Sequence, residues 1–297
     1  MSVAPEVTAP EVAVRSPRAR RRARMRRRIL RRPMAIAGGI VALIFVLVAI
    51  LAPVIAPYGA GQTDFGAALA GPSAKHLLGT DELGRDILSR IIFGARASME
   101  AGVLATALAM VVAVPVGLIA GYYRGWLDPV IARITDVLLA FPFVMLAVGL
   151  AAILGPSLTN AILALGISVV PQLIRITRGE ALALREEDYV RAAIANGASD
   201  LVILGRHILP NMTSTLIVQA TVTIPTLIIG EALLSFLGLG VQPPTPSWGV
   251  MLSAAQPFID SAPRLAIFPG VAIFLATLSF NLLGDGLRDV LDPRTQS

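Results

Sequence analysis

Residues 34–57 read MAIAGGIVALIFVLVAILAPVIAP, 24 positions without a charge. A helix needs about 20 apolar residues to cross the hydrocarbon core of a bilayer. The run directly follows a basic tail and precedes a polar loop, so it reads as a first membrane span. Five further stretches have the same character: Ala101–Ala120, Ile134–Leu154 with only Asp136 charged, Ser157–Ile174, Met212–Leu237 with only Glu231 charged, and Leu265–Gly284. Gly155 and Pro156, between the third and fourth, predict a tight turn between antiparallel helices. The expected fold is therefore an all-α polytopic membrane protein with six transmembrane helices.

Composition agrees. Hydrophobic residues make up 55% of the 297-residue chain and charged residues 15%, with a mean hydropathy of +0.75. A soluble domain carries about 25% charged residues; this chain has too little polar surface to cover itself in water. Cysteine is absent, which excludes a disulfide framework, a thiolate metal site and a cysteine nucleophile.

Lys and Arg set orientation. With the N-terminus in the cytoplasm, the six spans put 20 basic residues inside and 5 outside (Lys75, Arg85, Arg90, Arg96 and Arg264), so both termini are expected in the cytoplasm. The first apolar run exceeds the about 7–15 residues of a signal-peptide core and lacks a small-residue cleavage site, so it reads as retained. The Arg-rich tail reads as a disordered anchor on anionic lipid rather than a nucleic-acid-binding arm. The expected organisation is a tail over 1–33, the first span and an external loop over 34–97, and a core over 98–292 with a cytoplasmic loop at 180–211.

That loop carries its own pattern. Asp188 is placed to cap a short helix Tyr189–Asn196, Gly197 to end it in a left-handed conformation, Ser199 to cap a second helix Asp200–Leu209, and Pro210 to interrupt the chain before span five. Two compact helices at a glycine break are rigid enough to transmit a push.

Here the chain resembles a known family. Tyr189-Val-Arg-Ala-Ala-Ile-Ala-Asn-Gly197, followed by His207-Ile-Leu-Pro-Asn211, is similar to the EAA loop of binding-protein-dependent ABC importers. Ala192, Ala193, Gly197, Leu209 and Pro210 are in register; Arg191 stands where the pattern has Glu, and His207 where it has Ile. Leu78-Gly-Thr-Asp-Glu-Leu-Gly-Arg-Asp-Ile-Leu-Ser-Arg90 and Ser235-Phe-Leu-Gly-Leu-Gly-Val-Gln242-Pro243-Pro-Thr-Pro-Ser-Trp248-Gly249 narrow the resemblance to the C-type permease subunit of dipeptide and oligopeptide importers, the DppC/OppC family.

The resemblance implies a type I importer permease fold: a MetI-like core of spans two to six with the first span packed peripherally. It implies ATPase-coupling roles for Tyr189, Ala192, Ala193, Gly197, Leu209 and Pro210, and an external loop motif at Gln242, Pro243 and Trp248. The implied partners are a homologous B-type permease, two ABC ATPase domains that use ATP and Mg, and an extracytoplasmic substrate-binding protein. No cofactor is implied for this chain itself. Its only lysine, Lys75, lies outside any Gly-x-x-x-x-Gly-Lys frame, so ATP hydrolysis falls to partner subunits. Glu231, an intramembrane carboxylate, and Ser235 beside it are candidates for the pathway or gate; a fixed hydrogen bond to a neighbouring helix is the other reading of Glu231. His76 and His207 fall on opposite sides of the membrane and form no common metal site. Prolines 115, 142, 171, 225 and 269 are expected to kink spans two to six. Nickel chelates and glutathione are alternative cargoes. A membrane-embedded enzyme and an ion-coupled secondary transporter are the rival classes.

Overall fold

The structure is a computed structural model and describes residues 33–291; the expectations for the basic tail lie outside that range. The described residues form nine α-helices: α1 (Pro33–Ile55), α2 (Ile87–Tyr123), α3 (Leu127–Leu139), α4 (Phe143–Leu154), α5 (Leu158–Arg185), α6 (Asp188–Ala195), α7 (Asp200–Phe236), α8 (Trp248–Ala255) and α9 (Arg264–Leu291). Among them the only β feature is an isolated bridge between Thr80 and Asp86.

Small residues set how the long helices meet, as expected where packing rather than the hydrophobic effect joins helices in lipid. A Cβ on Gly117 would lie 2.6 Å from the Thr177 Cβ, one on Gly121 2.7 Å from the Ala181 Cβ, and one on Gly166 2.8 Å from Leu108. Position advances together along both helices, so α2 and α5 are parallel. By the same reasoning α7 runs antiparallel to α2: Ser98 meets Glu231, Gly102 meets Ile228, and Tyr122 meets Asp200. In α1 and α9, Ala35 meets Gly286 and Gly38 meets Leu282, again antiparallel.

The parallel pairing decides the third crossing. Ile134–Leu154 is expected as one span kinked at Pro142; the structure bends there by 87°, between α3 and α4. Pro142 lacks an N–H and disfavours helical backbone at Phe141, and its own ψ of 133° leaves the helix. α3 and α4 are 13 and 12 residues long, each too short to cross alone. Because α2 and α5 point the same way, residues 124–157 must bring the chain back across, and the bent pair is one crossing. Ion pairs hold α3 along α5: Asp128 to Arg178, and Asp136 to Arg175 at 2.5 Å. Six crossings result, with Pro33, Tyr123, Arg185, Asp200 and Leu291 at one end of the bundle. The other four expected kink sites, Pro115, Pro171, Pro225 and Pro269, sit inside continuous helices.

α1 is peripheral. Only 17% of its most apolar stretch is buried, against 39–44% in α2, α5, α7 and α9. Its exposed Ile40, Leu43, Ile44, Leu47, Ile50 and Val54 suit a lipid-facing surface.

Candidate functional site

At the Asp200 end of the bundle the chain folds into a helical hairpin. α5 runs three turns past Ile174, and a two-residue link leads into α6. Glu187, not Asp188, holds the N-cap position of α6, and no side chain caps it. Gly197 ends the helix at φ +75°, as its type predicts. The Gly197 N–H donates to the Ile194 carbonyl at 2.9 Å, and the Ala198 N–H to the Ala193 carbonyl at 3.1 Å. These are the paired bonds of a Schellman ending.

The second short helix is not separate. Asp200 opens α7, which continues to Phe236 through a π-helical stretch, Ile203–Ile208. Pro210, expected as an interruption, is inside this helix. The wider π turn just before it accommodates a residue without an N–H whose ring crowds the preceding turn. The tip is thus joined directly to the fifth crossing.

One side of the hairpin is anchored. Val190, Ile203, Ile208 and Met212 are at most 1% exposed and cluster with Leu118, Tyr122 and Ala181 of α2 and α5. Leu209 packs inward against the same cluster. The Tyr122 hydroxyl donates to Asp200 at 2.7 Å, and the Arg185 guanidinium lies over the Tyr122 ring. Glu186 accepts from Arg191 at 2.8 Å and from Arg124, joining the ends of α2, α5 and α6. Arg191 and then Arg124 hold its carboxyl below the usual range. The opposite side is open: Tyr189 is 40% exposed, Ile194 45%, Leu201 81% and Val202 43%, with Ala192, Gly197 and Pro210 also exposed and Ala193 half-buried. Ile194, Leu201 and Val202 escaped the sequence reading, although their spacing against the buried Val190 and Ile203 marks an outward face.

At the far end, Glu231 is 0% exposed. Its carboxylate accepts from Ser98 and Ser235, each at 2.7 Å, and Ser235 in turn accepts from the Val241 N–H at 3.0 Å. The carboxylate therefore ties α2 to α7 and holds down the loop after α7. Gln242, exposed, closes that loop by donating to the Gly238 and Gly240 carbonyls at 3.0 Å; Pro243 is exposed beside it. Trp248 is fully buried, with its indole N–H on the Ile91 carbonyl at 3.1 Å and its ring edge-on to Phe45 of α1. Trp248→Ala should cost about 3–5 kcal/mol, read as a lower melting temperature of the purified protein in detergent.

The loop after α1 forms a second buried knot. Asp81 accepts from the Leu83 and Arg85 N–H groups at 2.9 Å, from the Arg85 side chain at 2.7 Å, and from Arg90. Asp86 caps α2 through Ser89 and contacts His76 Nδ1 at 3.0 Å. The motif residues 78–90 thus fold a loop onto the bundle. His76 and His207 are indeed at opposite ends.

A bundle of six apolar crossings, with a rigid hairpin at one end and folded loops at the other, is the form of a multi-pass membrane protein. The comparisons agree. Residues 113–297 match the family described as "Binding-protein-dependent transport system inner membrane component", and residues 21–72 match the "N-terminal TM domain of oligopeptide transport permease C". The chain belongs to this family, as an ABC importer permease of the DppC/OppC type. It is 50% identical over 229 residues to the dipeptide transport system permease protein DppC of Alkalihalophilus pseudofirmus, covering 77% of this chain and 75% of that one. It is 48% identical over 234 residues to the glutathione transport system permease protein GsiD of Pectobacterium atrosepticum, covering 79% and 78%. A solved structure of the MetNI methionine ABC transporter, in inward-facing conformations, shares the fold with a TM-score of 0.56 at 21% identity, over 68% of this chain and 96% of that one.

Proposed function

We propose that this chain forms half of a translocation pathway for di- and oligopeptides, paired with a homologous B-type permease. An extracytoplasmic binding protein delivers the peptide, and two cytoplasmic ATPase domains, using ATP and Mg, drive the cycle. The observation that carries this reading is the hairpin: anchored by Val190, Ile203 and Ile208, open at Tyr189, Ala192 and Leu201, and continuous with α7. A push on it is delivered straight to the fifth crossing, and the ATPases dock there. Dipeptide and glutathione, the cargoes named for the two relatives, are both short peptides with free amino and carboxylate groups. Glutathione is the second reading, favoured by its equally close relatives.

The hairpin end is cytoplasmic in this reading. It carries Arg124, Arg175, Arg178, Arg185, Arg191, Arg206 and Arg288, whereas Arg85 and Arg90 at the other end are buried on Asp81. Because the chain has no cysteine, single Ser199→Cys and Thr245→Cys variants test this cleanly. An impermeant thiol reagent added outside intact cells should label position 245 and not 199; the reverse pattern overturns the orientation. For cargo, the partner binding protein should bind dipeptides more tightly than glutathione. Tighter binding of glutathione would select the second reading.

A further inference from the structure

Arg96 and Glu100 lie one turn apart on α2, both exposed, between the buried Ala95, Ala97, Ser98 and Met99. Neither side chain makes an ion pair or hydrogen bond with another described residue. They face an open cavity of about 400 Å³ at the end of the bundle opposite the hairpin. Its walls come from four segments: Phe93 and Ala97 of α2, Leu158 at the start of α5, the loop at Gly61, and Pro244-Thr245-Pro246.

The two charges are poorly explained by their own chain. At i,i+4 spacing an acidic residue N-terminal to a basic one is the stronger order; here the order is reversed. Both lie just before the charge-free run Ala101–Ala120, at the outer mouth of the bundle, where water reaches them. The cavity has apolar walls and one charge of each sign, about 6 Å apart along the helix axis. A short peptide has the complementary form. Each extended residue spans about 3.3–3.6 Å, so the charged ends of a dipeptide lie about 7 Å apart. A guanidinium receives a carboxylate through two parallel hydrogen bonds, and a carboxylate receives an ammonium. Phe93, Leu158 and the prolines offer contact without selecting a particular side chain.

We propose that this groove is the outer entry site for short zwitterionic peptides, with Arg96 receiving the terminal carboxylate and Glu100 the terminal ammonium. The proposal rests on the peptide-permease reading and names the residues that would meet the cargo. It is tested on the complete importer in proteoliposomes, with its binding protein saturated with a radiolabelled dipeptide, by measuring peptide imported per ATP hydrolysed. Arg96→Gln and Glu100→Gln should each lower that ratio about tenfold, the loss of one charge-assisted contact, with ATP hydrolysis within about twofold of wild type. The double variant Arg96→Glu, Glu100→Arg should exceed either single variant, because a peptide can bind with its ends exchanged. Wild-type ratios in both single variants would overturn the proposal. So would loss of the partner permease on purification, which would make the groove a subunit contact. If the wild-type importer moves no dipeptide, the peptide reading itself fails, a result separate from unaffected variants.

Discussion

Gly197→Val is expected to leave the chain inserted and paired with its partner permease, while ATPase co-purification falls and uptake stops. The reason is local. Gly197 sits at φ +75°, and nothing lies within 4 Å of the position a Cβ would take. The penalty is therefore conformational, about 1–2 kcal/mol for a left-handed L-residue and more for a β-branched one. The bonds from Gly197 and Ala198 back to α6 depend on that conformation, so the tip rearranges and the bundle does not. Gly197→Asn, which tolerates the left-handed region, should retain most of the docking. Ala192→Arg should resemble Gly197→Val by a different route: the site is exposed, so the chain accepts the side chain, but a close-packed partner does not. Co-purification of the ATPase together with uptake in cells measures both; wild-type values for both variants would remove the hairpin from the coupling role.

The second large effect is expected at Glu231. Glu231→Leu removes the acceptor for Ser98 and Ser235 in a fully buried site. Each stranded hydroxyl costs about 1–3 kcal/mol, and the α2–α7 tie is lost with them. The amount of assembled permease in the membrane should fall severalfold. Glu231→Gln keeps an oxygen for one serine and offers an N–H to the other, whose hydroxyl can rotate. It should assemble and transport near wild-type levels. Normal assembly with lost uptake in Glu231→Gln would instead assign the carboxylate to the pathway.

Much of this fold was legible in sequence because lipid imposes a simple rule: charge-free runs of about 20 residues cross. The ends of the runs were less legible. α2 begins 14 residues before Ala101 because Asp86 caps it, Ser89 and Arg90 bond to the preceding loop, and Ala95 packs among the other helices, information that hydropathy does not carry. Pro142 breaks its helix by 87°, whereas Pro115, Pro171, Pro225 and Pro269 lie inside unbroken helices, a difference that no local pattern records. Pro210 shows the same limit, since a π turn absorbs it. At the hairpin, Gly197 was readable because positive φ favours one residue type. The partner of Glu231 on α2 was not, as Ser98 lies 133 positions away. Arg96 read only as a basic residue outside the membrane, and Glu100 carried no reading, until the walls around them were in place.

In the function proposed above, this chain carries peptide across the membrane under the control of ATPases docked on its hairpin. The most direct test is the purified importer in proteoliposomes, with ATP inside and peptide-loaded binding protein outside. Peptide should accumulate against its gradient only when both are present, and the accumulation should disappear in Gly197→Val while the permease pair remains intact. Accumulation without ATP, driven by an ion gradient alone, or undiminished in Gly197→Val, would contradict it.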